Sequence, residues 1–298
     1  MVAPAWIACD WGTSALRVWA MSADGQVLDH ARSDKGMGTL DKSGFQPALL
    51  SLIEPWLTKP TRAVACGMVG ARQGWVEAPY TPVPCDPRTV TATAALTTDP
   101  RLTVTVLGGI RQDQPADVMR GEETQIAGAL TTRPDFDGVL CLPGTHTKWA
   151  QISAGEIVSF RTFMSGELFA LMSTQSVLRH SLGDGWDAAA FTEAVSDTLS
   201  KPEALAARFF ALRAESLLHD LAPDAARARL SGLLIGAELA AARPYWLGTD
   251  VLIVGSPAAS QPYASALAAQ GVSAECLDAE AMTLAGLAHA HATLGETA

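Results

Sequence analysis

Three short strings carry the residue types that could move a phosphoryl group. Asp10-Trp11-Gly12-Thr13-Ser14 puts a carboxylate at the end of an apolar run, beside small residues whose N–H and hydroxyl groups can approach an anion. Mg2+ carried on nucleotide phosphates takes carboxylate and water oxygens, so Asp10 is a candidate metal ligand. Gly12, Thr13 and Ser14 are then a candidate phosphate cradle; the competing reading is an Asp that only stabilises its own turn. Pro143-Gly144-Thr145-His146-Thr147-Lys148 repeats the pattern, with Gly144, Thr145, His146 and Thr147 as candidate phosphate contacts. The two turns support each other, because a phosphate chain gripped from both sides needs such a pair. Arg120-Gly121-Glu122-Glu123-Thr124-Gln125 opens an apolar-faced helix. Glu in a first helical turn is favoured by the helix dipole alone. A kinase acting on an alcohol also needs a carboxylate to orient the hydroxyl and take its proton, and either Glu122 or Glu123 could serve.

The elements that must position these strings are legible from periodicity. Ala5 to Cys9, Leu16 to Met21 and Gln26 to Ser33 predict a strand followed by a hairpin around Asp24-Gly25. Phe45 to Leu57 predicts a helix, Arg62 to Met68 and Leu102 to Leu107 predict strands, and Glu122 to Leu130 a further helix. The second half opens in the same way. Val139 to Leu142 breaks into the Gly144 turn, then Lys148 to Ile152, a turn at Ala154-Gly155, and Ile157 to Phe160. This is a pseudo-repeat of β-turn-β-turn-β units, with the Gly/Thr turn at matching places. A helix-rich stretch from Gly166 to about Ala242 precedes an apolar strand, Val251 to Val254, that ends in Gly255-Ser256. A helix at Tyr263 to Ala269, a strand at Val272 to Leu277 and a helix from Ala279 to about Leu294 complete the pattern.

With 298 residues, 48% of them hydrophobic and 17% charged, the chain has material for two packed cores. A net charge of -10 argues against nucleic acid or an anionic membrane surface as partner. An anionic small molecule needs local positive sites instead. The five cysteines have neither paired spacing nor nearby histidine clusters; Cys9, Cys66 and Cys141, inside apolar runs, read as core residues, and a reducing cytoplasm is expected.

The Asp10 to Ser14 turn, the Gly144-Thr145 turn and Val251 to Ser256 with its helix resemble the two phosphate motifs and the adenosine motif of actin/hexokinase/Hsp70-type ATPases. Gly255-Ser256-Pro257 stands where that superfamily often has Gly-Gly. Ala65 to Trp75, Met119 to Gln125, Leu142 to Trp149 and Phe163 to Phe169 together resemble the 2-dehydro-3-deoxygalactonokinase family, in order from roughly Ile7 to Gly286. The resemblance implies an α/β fold of two ribonuclease H-like lobes, each a mixed five-stranded sheet with flanking helices and an ATP cleft between them. It implies transfer of the γ-phosphoryl group of ATP, with Mg2+, to the 6-hydroxyl of 2-dehydro-3-deoxy-D-galactonate in galactonate catabolism. Gly255 and Ser256 then join the ATP contacts.

A sugar acid also needs cations. Arg72 and Gln73, in a Gly-flanked loop with Trp75, offer a planar fork for carboxylate and an apolar wall; Arg17 is a further candidate. The expected division is residues 1–125, with the first turn, the sugar-acid site and the catalytic Glu, and 126–298, with the second turn and the adenosine motif; the C-terminal helix packs back on the first lobe. The partners expected are the sugar acid and ATP, with self-association an option. The rivals are a kinase of another sugar or sugar acid on the same fold, and a nucleotide-binding regulator or switch.

Overall fold

The computed structural model describes residues 2–89 and 91–296. In chain order it contains β1 (Trp6–Trp11), β2 (Leu16–Met21), β3 (Val27–Ser33), α1 (Phe45–Ile53), β4 (Thr61–Gly67), β5 (Tyr80–Pro82), β6 (Ala92–Ala95), β7 (Leu102–Leu107), β8 (Gly109–Asp113), β9 (Ala116–Met119) and α2 (Glu122–Thr132). There follow β10 (Gly138–Leu142), β11 (Thr147–Ser153), β12 (Glu156–Phe163), α3 (Ser165–Thr174), α4 (Ala188–Ser200), α5 (Leu205–Leu218), α6 (Pro223–Ala241), α7 (Arg243–Trp246), β13 (Val251–Gly255), α8 (Pro257–Ala268), β14 (Ala274–Asp278) and α9 (Ala279–Glu296).

The chain forms two compact units. The first takes the residues up to Phe136, the hairpin tip Ile152–Ser159 and the residues from Ala279 on; the second takes Asp137–Gln151 and Phe160–Asp278. This grouping differs from a cut at residue 125, because α2 runs unbroken to Thr132 and lies against α9.

The first unit is built on a sheet of order β3-β2-β1-β4-β7-β6, the second on one of order β12-β11-β10-β13-β14. Five strands of the first repeat the order of the second. The sixth, β6, pairs antiparallel with β7 at the edge, which corrects the expectation of five strands in each lobe. A small sheet, β5-β8-β9, escaped the sequence reading altogether: its strands are three to five residues long and rich in Pro, Gly and charge.

The apolar run of β1 is continuous because both of its faces are covered. Ile7, Cys9 and Trp11 pack with α1 through Phe45, Leu49 and Ile53, while Trp6 and Ala8 pack with Leu287 of α9. Asp10 shares the parity of Trp6 and Ala8, so its carboxylate belongs to the α9 face. In β4 the same alternation puts Ala63 and Ala65 on the α1 side and Val64 and Cys66 on the other. Cys9, Cys66 and Cys141 are buried, as their apolar runs predict; Cys85 is buried too, Cys276 is exposed, and all five are free thiols.

Helix α8 begins at Pro257, six residues before the sequence reading placed it. The Ser256 hydroxyl accepts the Ala259 N–H and Pro257 occupies the first turn, where a missing N–H costs nothing. Pro262 inside the same helix had obscured the pattern.

Helices α2 and α9 approach through two glycines. A Cβ on Gly128 would lie 1.9 Å from the Met282 carbonyl oxygen, and one on Gly286 would lie 2.0 Å from that of Thr124. Gly286→Ala must therefore separate the helices that carry the first unit's acidic residues, at a cost of about 1–3 kcal/mol, read as a lower thermal midpoint. Gly295→Ala, where a Cβ meets nothing, should leave the midpoint in place; equal midpoints for the two variants would overturn this account.

Candidate active site

In the first unit the residues of interest collect at the carboxyl ends of β1 and β4. These strands run parallel, with Asp10 beside Cys66 and Trp11 beside Gly67. Gly67 has φ +91° and Gly121 φ +109°, a region costly for any residue with a side chain. A Cβ on Gly67 would lie 2.7 Å from the Trp11 carbonyl oxygen, and one on Gly121 would lie 3.3 Å from the Gly67 Cα. The start of α2 is thereby seated directly on the end of β4.

That seating separates the roles open to the two glutamates. Glu123 has no exposed surface, and both its carboxylate oxygens accept the Gly121 N–H, at 2.8 and 2.7 Å. Burial, and after it the charge of Glu122, pushes its carboxyl up to about 7. Glu122 is only half-buried and accepts the Arg120 N–H at 3.0 Å. A group that takes a proton from a substrate must touch it, and only Glu122 of this pair presents surface.

Arg17 stands opposite Asp10 in the antiparallel register and forms an ion pair with it; its other nitrogen lies 3.3 Å from Glu280 of α9. The Cys66 Sγ is 4.0 Å from the other Asp10 oxygen. The Gly12 to Ser14 turn is held from behind, its Gly12 and Thr13 carbonyls accepting the Met37 and Gly38 N–H groups. Thr13 and Ser14 are left exposed.

Arg72 is 81% exposed and meets Glu77 at 3.4 Å, a surface pair that contributes little. Gln73 is also exposed, whereas Trp75 is half-buried, edge-on to Trp11 and stacked near Phe45. Thus Arg72 is available to a ligand, while Arg17 is already engaged by two carboxylates.

In the second unit Gly144, Thr145 and His146 are exposed, and a Cβ on Gly144 would meet nothing within 4 Å, leaving room for a ligand to approach the backbone. The first turn of α3 lies beneath this loop. The Glu167 N–H donates to the Thr145 carbonyl at 2.9 Å, and a Cβ on Gly166 would be 2.1 Å from the Gly144 oxygen. The Glu167 carboxylate meets His146 Nε2 at 2.6 Å. Thr147 points the other way: it is fully buried, with its hydroxyl 2.8 Å from that of Tyr263, so its side chain offers a ligand nothing.

Gly255, at the end of β13, lies next to Pro143, and exposed Ser256 caps α8. Between this helix, α3 and α6 runs a cavity of about 220 Å3 that includes Gly144, Ser165, Ala259 and Tyr263. It shares Phe169, Ser231, Ala258 and Pro262 with a larger, largely apolar cavity of about 480 Å3. There the Arg227 guanidinium lies 5.1 Å from the Phe169 ring centre, close to Trp186 and Phe191. These aromatic and cationic residues were missed in the sequence, since they are scattered over three helices and an intervening loop with no shared spacing.

Among the described residues no cluster of three or more His, Cys, Asp or Glu could hold a metal ion by itself, and no helix is long and apolar enough to cross a membrane. A lone carboxylate such as Asp10 suits Mg2+ that arrives on phosphates and keeps most of its waters.

A family model described as 2-keto-3-deoxy-galactonokinase matches residues 10–290. The "Probable 2-dehydro-3-deoxygalactonokinase DgoK1" of Rhizobium meliloti (strain 1021) is 39% identical over 293 residues, 95% of each chain. The 2-dehydro-3-deoxygalactonokinase of Escherichia coli (strain K12) is 35% identical over 243 residues, 80% of this chain and 81% of its own. The "Crystal structure of a putative 2-dehydro-3-deoxygalactonokinase protein from Sinorhizobium meliloti" superposes with a TM-score of 0.91 at 39% identity, covering 97% of this chain and 99% of that one. The activator of 2-hydroxyisocaproyl-CoA dehydratase from Clostridium difficile, solved with ADPNP, shares the fold alone, with a TM-score of 0.53 at 11% identity over 98% of this chain and 96% of that one.

Glu238 of α6, in the second unit and 2% exposed, is another buried glutamate: burial pushes its carboxyl up to about 7 as well. Both start from 4.5, so between about pH 4.5 and 7 the folded chain holds protons that the unfolded chain has released, and stability falls as pH rises. Glu123→Gln and Glu238→Gln should each gain thermal midpoint relative to wild type as pH climbs through that window. A difference from wild type that does not vary with pH would rule this out.

Proposed function

The chain belongs to the 2-keto-3-deoxy-galactonokinase family, and on that premise we propose how its residues divide the work of phosphorylating 2-dehydro-3-deoxy-D-galactonate. The reaction is ATP-dependent transfer of a phosphoryl group to the sugar acid's 6-hydroxyl, a step of galactonate catabolism. The observation that carries the residue-level reading is the seating of α2 on the end of β4, where Glu122 keeps part of its surface and Glu123 has none.

Glu122 orients the attacking hydroxyl and takes its proton as the bond to phosphorus forms. Glu123 is a positioning residue. By holding the Gly121 N–H it fixes the turn from which Glu122 projects. Arg72 pairs with the substrate carboxylate, Gln73 adds a polar contact, and Trp75 walls the carbon chain. Arg17 acts through Asp10, whose carboxylate it holds in place. Asp10 would hold Mg2+ on the phosphate side, where the ion neutralises charge on the phosphates when bound.

The nucleotide half of the work falls to the second unit. Exposed backbone and hydroxyl groups of Gly144, Thr145 and His146 meet phosphate oxygens. The adjoining cavities suit the nucleoside: the N-terminus of α8 at Gly255-Ser256 is near the smaller one, and Phe169, Trp186 and Arg227 offer faces for a purine. No covalent enzyme intermediate is needed, since alignment and charge neutralisation supply most of the rate.

ADP release by the purified protein with Mg2+ and ATP should rise strongly on adding 2-dehydro-3-deoxy-D-galactonate and far less with the gluconate epimer. Stimulation by a different sugar acid alone would replace the substrate. Turnover indifferent to every sugar acid would point to a nucleotide-driven switch.

Glu122→Gln should lower kcat by about 10²–10⁴-fold with the KM for ATP retained. Glu123→Gln should cost much less; the reverse order would exchange the two roles. Arg72→Ala should raise the KM for the sugar acid by about tenfold or more, the loss of a charge-assisted pair, without moving the KM for ATP. An unchanged sugar-acid KM would remove Arg72 from the site.

A further inference from the structure

The Gly144 turn is tied to the fold at two points, and both ties lead to one buried side chain. Glu238 Oε1 accepts the indole N–H of Trp149 on β11 at 2.8 Å. Its Oε2 accepts the hydroxyls of Ser165, at the start of α3, and of Tyr263 on α8, the latter at 3.0 Å. From Ser165 the connection continues through the first turn of α3 to the Glu167 N–H, which holds the Thr145 carbonyl. From Tyr263 it continues to the Thr147 hydroxyl, at the other end of the same turn. Ser165 and Tyr263 also line the cavity that opens at Gly144, whereas Glu238 stands behind them. A carboxyl buried among apolar groups is costly, and here it gathers α3, α6, α8 and β11 at one place.

We propose that Glu238 is a positioning residue for ATP: through Ser165 and Tyr263 it fixes both ends of the Gly144 turn and the wall of the adjoining cavity. The inference rests on the assignment of that turn and cavity to the nucleotide. The role is geometric. A glutamine in the same place can accept the Trp149 N–H on its carbonyl and donate its amide hydrogens to the two hydroxyl oxygens, and Tyr263 can then donate to Thr147. A leucine of similar size leaves the indole N–H without an acceptor and cuts both ties.

The test is steady-state kinetics of the full chain, with ATP and the sugar acid varied separately. Glu238→Leu should raise the KM for ATP by about tenfold and leave the KM for the sugar acid within about twofold, and Glu238→Gln should recover most of that loss. Tyr263→Phe removes a single hydroxyl and the tie to Thr147, and should raise the ATP KM by about threefold or more; it carries the test if Glu238→Leu does not fold. Folded Glu238→Leu or Tyr263→Phe with an unchanged ATP KM, or variants that raise both KM values alike, would overturn the proposal. A wild-type protein without sugar-acid-dependent ADP release would instead defeat the functional assignment beneath it, and that result is seen before any variant is compared.

Discussion

The backbone contact between Gly67 and Gly121 is the constraint on which the chemistry proposed for the first unit rests. Neither position takes a Cβ freely: at Gly67 it would collide with the Trp11 carbonyl, and at Gly121 it would crowd the Gly67 backbone in a region of positive φ. Because this contact is made by main chain, it ties the end of a core strand to the first turn of a helix with little freedom for side-chain adjustment. Asp10, on the neighbouring strand, and the two glutamates of α2 inherit their places from it. The helix dipole favours acidic groups in that first turn, so local propensity agrees with the role proposed for Glu122.

The second unit solves an equivalent problem with polar side chains. Its turn is exposed and not strained, with no positive φ at Gly144, and is held by hydrogen bonds that converge on a buried carboxyl. Backbone closure in one unit and a side-chain network in the other have different sensitivities. The first fails on any added bulk, whereas the second fails on loss of an acceptor and tolerates a change of charge state if the hydrogen bonds can reverse.

Much of the architecture was legible because both faces of β1, β4, β10 and β13 are buried, which writes unbroken apolar runs into the sequence. The matching turns after β1 and β10 were visible for the same reason: each interrupts such a run with Gly and Thr. The short strands β5, β8 and β9 carry no such signature. Nor could the sequence separate Glu122 from Glu123, since adjacent residues differ only in which way the helix turns them. Thr147 belonged to a convincing motif, yet strand alternation sends its hydroxyl inward. Glu238 lies amid an Ala- and Leu-rich helix, and its meaning comes from partners 25 to 89 positions away.

The first unit is discontinuous in sequence, its sheet coming from the opening third of the chain and the helix that covers Trp6, Val64 and Leu107 from the last twenty residues. During synthesis that apolar face must wait, uncovered, until α9 leaves the ribosome, while the second unit already has nearly all of its sequence. Contacts of such separation are slow to form. The second unit can therefore consolidate before the first, whose apolar face is closed only when α9 packs on it.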